Sequence, residues 1–268
     1  MPDAKLNRLL ITGAAGALGR VLREKLKSSA VAMRLSDRAP LGTATAGEEL
    51  VVCDLADKQA VHDLLNGVDA VVHLGGISVE GPWEPILQSN IIGMYNLYEA
   101  ARKNAVKRLV YASSNHTVGF YRQSETIDAN APQRPDGYYG ISKCFGEDLS
   151  RFYFDRYGIE TVCMRIGSAF PEPQDRRMLT TWLSYEDLAE LVRYALFTPK
   201  VGHTIVFATS KNRDSFWNNS KAAHLGWKPM DSAEPFRAKL EAAPPLAADD
   251  PLMIYQGGRY TAAGPYDD

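Results

Sequence analysis

The sequence predicts an α/β protein built on a doubly wound parallel sheet. Apolar segments of strand length alternate with helical segments through the first 166 of the 268 residues. That alternation is typical of a parallel sheet covered by helices on both faces. A glycine-rich turn follows the first strand and opens the first helix. The other polar motifs fall where strands end, at the edge where such sheets bind ligands.

Each element follows from a local pattern. Apolar runs predict strands over residues 8–12, 31–36, 50–53, 70–74, 108–113 and 160–166. Helical spacing predicts helices over residues 19–27, 57–65, 86–104 and 136–157. The last of these helices is expected to end at Gly158, which suits the left-handed C-cap position.

The final third of the chain has weaker patterns. A helix is expected over residues 183–197, a strand over 203–208 and a further helix over 214–224. Residues 242–250 are rich in Ala, Pro and Asp and indicate a linker or an ordered loop. Residues 253–256 and 259–261 flank two glycines and predict a hairpin.

Composition argues against several function classes. The formal net charge is −2 and no basic run occurs, so a nucleic-acid partner is not expected. No run of eighteen apolar residues occurs, and the polar residues 1–8 lead directly into a strand, so neither a membrane span nor a signal peptide is expected. Cys53, Cys144 and Cys163 have no metal-ligand spacing. They indicate reduced, buried thiols in a cytoplasmic protein without a metal site.

The first functional motif is TGAAGALG, between the first strand and the first helix. Gly13, Gly16 and Gly19 permit a tight turn and a close approach of the backbone to a pyrophosphate. The phosphates then lie at the positive end of the helix dipole. A glycine-rich turn without a ligand is the alternative, but a strand before the turn and a helix after it favour a dinucleotide site.

Two carboxylates follow later strands. Asp37 ends the second strand, where it can accept hydrogen bonds from ribose hydroxyls and repel a 2′-phosphate, which favours NAD over NADP. Arg38 follows and could offset that repulsion, and Asp37 could also be a simple turn residue. Asp54 ends the third strand, where it either bonds the adenine amino group or caps the helix that begins near residue 57.

Gly75 and Gly76 end the fourth strand and let a flat cofactor pass close to the backbone. The other residues expected to contact the dinucleotide are Ala17, Leu18, Leu55, Leu74, Ser113, Tyr139, Lys143 and Ile166. Residues 8–166 are therefore expected to form the dinucleotide-binding core of a single domain, residues 1–268. Residues 167–268 form its small substrate-binding region and tail.

Tyr139 and Lys143 form the second motif, about 120 residues after the glycine-rich turn. Four residues apart on a helix, they share one face. The ammonium is expected to lower the phenol pKa, ordinarily near 10, so that the tyrosine can take a proton from an alcohol. Tyr138 has no lysine four residues on and is expected to pack. In this order, the two motifs indicate an NAD-linked oxidoreductase.

Polar residues complete the catalytic constellation. Ser114, at the end of the fifth strand, can polarise a substrate oxygen while the tyrosine takes its proton. His116 could be a base, but the tyrosine–lysine pair makes a second base unnecessary, so a hydrogen bond to substrate is its expected role. Asn90, on the preceding long helix, either holds a water that supplies protons to the lysine or is a polar surface residue.

Together these residues resemble the extended short-chain dehydrogenase/reductase family. The resemblance spans residues 8 to about 230 and implies a Rossmann fold with tyrosine–lysine chemistry. It rests on residues 12–19, Asp37, Asp54, Leu55, 73–76, Asn90, Gly93, 96–100, Ser113, Ser114, Tyr139, Lys143 and 225–229.

The chain departs from the common family members, which act on nucleotide sugars. Residues 165–168 read Arg-Ile-Gly-Ser in place of an Arg-x-x-Asn stretch, and only about a hundred residues follow Ile166. Residues 73–80, 112–117, 165–168, 177–178 and 255–258 resemble the uronate dehydrogenases. Those enzymes oxidise C1 of D-galacturonate or D-glucuronate with NAD and release an aldarolactone.

The resemblance implies the substrate contacts. Sugar hydroxyls are expected to contact Ser78, Ser114, Asn115, His116, Tyr139 and Ser168. Arg177 is expected to bind the carboxylate, since a guanidinium can hold a carboxylate through two hydrogen bonds. From the residues alone, Arg177 cannot be chosen over the adjacent Arg176. Arg165 lies nearby, and any of the three could form a surface salt bridge.

Other functions remain as alternatives. A nucleotide-sugar epimerase or dehydratase of the same family would recycle bound NAD, and its usual larger substrate domain argues against it here. A sensor without catalysis commonly lacks the tyrosine–lysine pair, and fold alone does not name the substrate of a sugar dehydrogenase. A homo-oligomer is expected through the helices over residues 86–104 and 136–157, which pair in many relatives.

Overall fold

A seven-stranded parallel sheet organises the part of the chain that the structure, a computed structural model, describes: residues 5–244 and 246–266. The strands in chain order are β1 (Leu6–Thr12), β2 (Ala30–Asp37), β3 (Glu48–Val52), β4 (Ala70–His73), β5 (Arg108–Ser114), β6 (Ile127–Asp128), β7 (Glu160–Ile166), β8 (Ser168–Ala169), β9 (Trp182–Leu183), β10 (His203–Ala208) and β11 (Trp217–Asn218). Residues 1–4 of the predicted N-terminal segment, Pro245 of the predicted linker and residues 267–268 of the tail lie outside the described ranges.

Nine α-helices connect these strands within the described residues. They are α1 (Ala17–Lys25), α2 (Lys58–Leu64), α3 (Trp83–Ile86), α4 (Gly93–Lys103), α5 (Tyr138–Tyr157), α6 (Met178–Thr181), α7 (Tyr185–Phe197), α8 (Arg237–Glu241) and α9 (Pro251–Ile254). The helix α5 ends at Gly158, whose φ of 65° is left-handed, so the predicted C-cap is confirmed. No helix of the described ranges has the length and apolar composition needed to cross a membrane.

The strand order of the main sheet is β3-β2-β1-β4-β5-β7-β10, and every pairing is parallel. The chain moves outward from β1 to β3, then returns to the other side of β1. The order therefore reverses between β1 and β4, the place where doubly wound sheets bind ligands. The predicted fold class is confirmed, and β10 extends the sheet beyond the core expected over residues 8–166.

Two apolar cores hold the helical layers on the sheet. Alternate side chains of β1 point to opposite faces, so Leu9 and Ile11 join one core while Leu10 joins the other. The first core takes its helical side chains from α1 and α7, and the second from α2, α4 and α5. The β5 and β7 strands are buried along most of their length, as expected for the centre of a parallel sheet.

Two local predictions are wrong, and one predicted helix is present but irregular. The helix over residues 214–224 is replaced by β11, which pairs with β6, and by a 3₁₀ helix over Ser220–Leu225. The hairpin around Gly257 is replaced by α9 and a 3₁₀ helix over Gly258–Ala262. The long helix over residues 86–104 is divided by a π-helical segment, Leu87–Ile92.

The α9 helix forms because its first residues carry a helix start signal that the hairpin prediction overlooked. The Asp250 side chain accepts the backbone N–H of Leu252 at 2.8 Å, and Pro251 occupies the first helical position. The π-helical segment contains the buried Asn90, and such segments are frequently found at functional sites.

Candidate active site

A large cavity lies beyond the carboxyl ends of β1, β2, β4, β5 and β7. Its volume is about 620 Å³. The lining includes most of the predicted site: Gly13, Gly16, Ala17, Leu18, Gly19, Asp37, Asp54, Leu55, Leu74, Gly75, Gly76, Ser78, Ser113, Ser114, His116, Tyr139, Lys143, Ile166, Ser168 and Arg177. Of the predicted residues, Asn90 and Asn115 do not line it. The glycine-rich turn and the tyrosine–lysine pair therefore face one space, although about 120 residues separate them.

The glycine-rich turn leaves room for a ligand at the start of α1. Gly13 has a φ of 71°, which favours glycine, and a Cβ there would lie 2.7 Å from the Gly75 nitrogen. A Cβ on Gly19 would lie 2.2 Å from the Gly13 carbonyl oxygen. Among the described residues, a Cβ on Gly16 would meet only that oxygen, at 3.3 Å. Gly13 and Gly19 thus close the turn, whereas Gly16 keeps space in the cavity.

Helix α1 begins at this turn without a side-chain cap. Its first backbone N–H groups are therefore available to an anion, and the helix dipole favours negative charge there. A glycine-lined turn, uncapped amides and an acidic residue at the end of β2 fit the pyrophosphate and ribose of NAD. The residues that would hold the cofactor are those of the predicted set that line the cavity.

The two carboxylates of this region have different local roles. Asp37 accepts the backbone N–H of Ala15 and of Ala39, both at 3.0 Å, so it ties β2 to the glycine-rich turn. Asp54 accepts the N–H of Ala56 at 2.9 Å and lines the cavity. Asp57 caps α2, so the alternative in which Asp54 caps that helix is wrong.

Tyr139 and Lys143 lie on the first two turns of α5, and both are buried. The Lys143 Nζ donates to the Ala112 carbonyl oxygen at 2.8 Å and lies 5.5 Å from the centre of the Tyr139 ring. The predicted placement of both residues on one helix face beside the end of β5 is therefore confirmed. The Lys143 side chain thus hydrogen-bonds to the backbone of β5.

Burial dominates the electrostatics of the pair. It raises the Tyr139 pKa above its usual value near 10, and hydrogen bonding with Ser114 acts in the opposite direction. Burial also lowers the Lys143 pKa to about 8. The expectation of a lowered tyrosine pKa is wrong for the protein by itself, because burial raises that pKa.

Asn90 connects two parts of the site. Its Oδ1 accepts the Ile77 N–H at 2.8 Å, and its Nδ2 donates to the Ile77 carbonyl at 3.0 Å and to Ser142 Oγ at 2.9 Å. Both amide hydrogens are thus directed to protein acceptors. The surface interpretation is wrong because Asn90 is buried, and these bonds tie the loop after β4 to α5. The water expected next to Lys143 stays a prediction.

His116 faces the cavity from the turn that follows β5. Its Nδ1 lies 2.7 Å from Oδ2 of Asp136, and its backbone N–H donates to Ser114 Oγ at 3.2 Å. Tyr260 stacks on the imidazole with a centroid distance of 4.0 Å. The Tyr139 ring meets the same imidazole edge-on at 5.7 Å. The sequence patterns did not indicate Asp136 or Tyr260 as part of the site.

The structure distinguishes the three candidate arginines. Arg177 lines the cavity and donates from Nε to the Gln256 carbonyl at 2.8 Å and from Nη1 to Ser168 Oγ at 3.4 Å. Arg176 turns away and donates to backbone carbonyls that include that of Glu241. Only Arg177, of the three, is available to a ligand in the cavity.

Arg165 is buried beneath the site, where it forms two hydrogen bonds with Glu147, at 2.9 and 2.7 Å. Glu147 also accepts a hydrogen bond from Ser113 at 2.6 Å. Burial lowers the pKa of Arg177, whereas hydrogen bonding to Glu147 contributes to a raised pKa for Arg165, against desolvation. Arg165 therefore supports the end of β5 and is not a substrate contact.

The Asn115 side chain contacts the Arg177 guanidinium. The amide orientation that satisfies its neighbours donates to the Ile166 carbonyl at 3.0 Å and accepts from Arg177 Nη2 at 2.9 Å. Asn115 is buried and does not line the cavity, and the direct sugar contact expected for it stays a prediction. It holds the guanidinium that faces the cavity.

The C-terminal segment supplies site residues that motif reasoning missed. Gln256 is fully buried, accepts from the Trp217 indole at 2.8 Å and donates to the carbonyls of Arg122 and Glu125. These bonds fix the turn that brings Gly257 and Tyr260 into the cavity lining. The only signal in the sequence was the Tyr-Gln-Gly-Gly stretch.

Comparisons with known proteins agree with this geometry. The model of the NAD dependent epimerase/dehydratase family matches residues 9–187. A uronate dehydrogenase from Pseudomonas putida is 61% identical over 268 residues, which is 100% of each chain. A crystal structure of a glucuronic acid dehydrogenase from Chromohalobacter salexigens matches with a TM-score of 0.95 and 54% identity over 97% of this chain and 98% of that one. A tyrosine-to-alanine mutant of uronate dehydrogenase from Agrobacterium tumefaciens complexed with NAD matches with a TM-score of 0.96 and 50% identity over 98% and 100%.

Proposed function

The chain belongs to the NAD dependent epimerase/dehydratase family, and we propose that it oxidises free hexuronic acids at C1 to the aldarolactone with NAD. It is an oxidoreductase that acts on a hydroxyl group of a sugar and uses NAD as its cofactor. The substrates are D-galacturonate and D-glucuronate.

One observation carries the choice of substrate class. A guanidinium, that of Arg177, lines the same cavity as the Tyr139–Ser114 pair and the glycine-rich turn. Gln256, Ser168 and Asn115 each accept one N–H of the guanidinium, and Nη1 and Nη2 each carry a second N–H that these three partners do not use. A free uronate has both groups that this arrangement suits, a carboxylate for the cation and a C1 hydroxyl for the base.

The proton chemistry belongs to α5 and the end of β5. Tyr139, as phenolate, removes the proton of the C1 hydroxyl, and Ser114 hydrogen-bonds to the same oxygen. NAD, when bound, accepts the hydride that leaves C1. C1 then becomes the carbonyl carbon of a lactone. The hydrogen bond from Ser114 favours the phenolate and so acts against the burial that raises the Tyr139 pKa.

Remaining contacts orient the sugar ring. Ser78, His116 and Ser168 line the cavity and offer short polar groups to ring hydroxyls. Asn115 is a positioning residue for Arg177, and Asn90 is one for the loop that bears Ser78. The region 167–268 supplies Ser168 and Arg177, which supports its role as the substrate-binding part of a single domain.

The test is NADH formation by purified protein with NAD and D-galacturonate or D-glucuronate. Galactose lacks the carboxylate, and UDP-glucuronate has C1 blocked, so both are controls. Signal with the free uronates alone is the expected result. If neither uronate gives net NADH and UDP-glucuronate is converted to an epimer, the protein is a nucleotide-sugar epimerase and the proposal is wrong.

Self-association is a further part of the proposal. Exposed apolar side chains stand on α4 and α5, where Tyr95, Ile141 and Phe152 are 43%, 43% and 49% exposed. Apolar exposure on two long neighbouring helices is typical of a subunit interface. A homo-oligomer is expected in sedimentation velocity, and Ile141→Glu is expected to dissociate it. A monomeric wild-type protein would overturn this part.

A cytoplasmic location is proposed from the thiols. Cys53, Cys144 and Cys163 are free and buried, and burial raises the pKa of each, so they are unreactive in a reducing compartment. Fractionation of cells that express the protein tests this location.

A further inference from the structure

We propose that Asp136 is a positioning residue that fixes the tautomer and orientation of His116, so that the imidazole accepts a hydrogen bond from a ring hydroxyl of the sugar through Nε2. This inference rests on the proposed function and adds a residue that lies behind the substrate contacts. Its evidence is a hydrogen bond, a space kept free by glycines and a stacked ring.

The hydrogen bond decides which ring nitrogen carries the proton. Asp136 Oδ2 lies 2.7 Å from His116 Nδ1, and the Asp136 side chain is 0% exposed. A carboxylate accepts but does not donate when ionised, so Nδ1 bears the hydrogen. In the neutral ring Nε2 is then an acceptor. No hydrogen bond links Nε2 to any of the described residues, and His116 lines the cavity.

Two glycines keep space for the carboxylate. A Cβ on Gly119 would lie 1.9 Å from Asp136 Oδ2, and a Cβ on Gly257 would lie 1.8 Å from it. Gly119 has φ −60° and Gly257 has φ −75°, backbone angles that any residue adopts. Conformation therefore does not require glycine at either position. Glycine is required at both positions because a Cβ would occupy the space of the Asp136 carboxylate.

The imidazole is held from its other sides as well. Tyr260 stacks on it at 4.0 Å with an interplanar angle of 13°, and the Tyr139 ring contacts its edge. With its face covered and Nδ1 bonded, the ring can direct only Nε2 and the adjacent edge into the cavity. Such support of a contact residue by a hydrogen-bonded carboxylate is the usual way to fix a histidine tautomer.

Asp136 also interacts with a second substrate contact, and this effect must be separated from the first. Its charge acts on Arg177 and favours the protonated guanidinium. A loss of Asp136 could therefore weaken substrate binding through Arg177 alone. A double-mutant cycle with His116 distinguishes the two routes, because residues that act as one unit lose less together than the product of their single losses.

The experiment compares Asp136→Asn, His116→Gln and the double variant with wild type. We expect the KM for D-galacturonate to rise on the order of tenfold in each, the value of one hydrogen bond. The Kd for NAD, measured by fluorescence, should stay unchanged. The double variant should be no worse than His116→Gln. The inference would be overturned if the KM increases of the two single variants multiplied in the double variant. It would also be overturned if Asp136→Asn left the KM unchanged.

A measurement on the wild-type protein keeps the test independent of folding. The ¹⁵N chemical shifts of the neutral His116 ring should show a protonated Nδ1 and an unprotonated Nε2. A ring protonated at Nε2 would overturn the assignment even if Asp136→Asn does not fold. Failure of wild type to oxidise any uronate would refute the proposed function, whereas these outcomes concern only the role of Asp136.

Discussion

Glu80 Oε2 accepts the backbone N–H of Tyr139 at 2.9 Å, while Oε1 accepts that of Tyr138 at the same distance. A residue of the loop after β4 therefore caps the helix that carries the catalytic pair. Gly137 leaves the space, because a Cβ there would lie 2.2 Å from Glu80 Oε2. The same loop carries Ser78, so one short segment positions both a proposed substrate contact and Tyr139, the proposed base.

Replacement of Glu80 by alanine should therefore reduce both stability and turnover. Loss of a helix cap costs about 1 kcal/mol of unfolding free energy. We expect kcat to fall by about tenfold or more, because small displacements of a base are costly. Urea denaturation and NADH formation measure the two effects. Glu84→Ala is the matched control, since Glu84 is exposed and accepts only from Gln88 among its described neighbours.

If Glu80→Ala lost stability but kept the wild-type kcat, the cap would be structural only. If Glu84→Ala lost as much activity as Glu80→Ala, the effect would arise from charge in the loop and not from the bonds to α5.

Tyr139→Phe should abolish turnover without loss of NAD binding. The phenol oxygen is the only atom of the side chain that changes, and the ring stays buried against His116. General base catalysis contributes about a hundredfold to ten-thousandfold, so kcat should fall by that factor. Fluorescence titration with NAD should give the wild-type Kd. Turnover at the wild-type rate would exclude Tyr139 as the base.

The sequence predicted the sheet and most of the cavity because both depend on local signals. Strands at β1, β4, β5 and β7 are short apolar runs with clear ends, and parallel pairing brings their carboxyl ends to one edge. Glycine spacing and the tyrosine–lysine spacing then place the two motifs at that edge.

The sequence did not predict contacts that depend on distant packing. Asp136 and Gly257 lie about 120 residues apart in the chain, and nothing near either residue indicates that they meet. The hairpin expected at Gly257 was wrong because bonds of Gln256 to the carbonyls of Arg122 and Glu125 bind that segment to a remote loop. The expected lowering of the Tyr139 pKa was wrong because burial, which sequence spacing does not report, raises that pKa.

Lys143→Met should reveal the cost of a buried ammonium through its pH dependence. Burial lowers the Lys143 pKa from 10.5 to about 8, so below pH 8 both folded and unfolded chains carry the proton and folding bears the desolvation cost. Between about pH 8 and 10.5 only the unfolded chain binds that proton, so wild-type stability gains as pH rises. The difference in pKa corresponds to about 3 kcal/mol.

The stability advantage of Lys143→Met over wild type should therefore be constant below pH 8 and shrink toward pH 10. Denaturation of both proteins at pH 7 and pH 9.5 measures this difference, in which the titration of the shared thiols and phenols cancels. A difference that stays constant from pH 7 to 9.5 would mean that Lys143 keeps an ordinary pKa in the folded protein.

Arg177→Met should separate substrate carboxylate binding from the rest of the chemistry. A guanidinium that donates to a carboxylate contributes charge-assisted hydrogen bonds, so we expect the uronate KM to rise about tenfold to a hundredfold. The Kd for NAD should not change. Arg176→Met is the matched control, because Arg176 carries the same charge one residue earlier but donates to backbone carbonyls outside the cavity. An equal rise in KM for both variants would indicate a general field effect, and an unchanged KM for Arg177→Met would show that the carboxylate binds elsewhere.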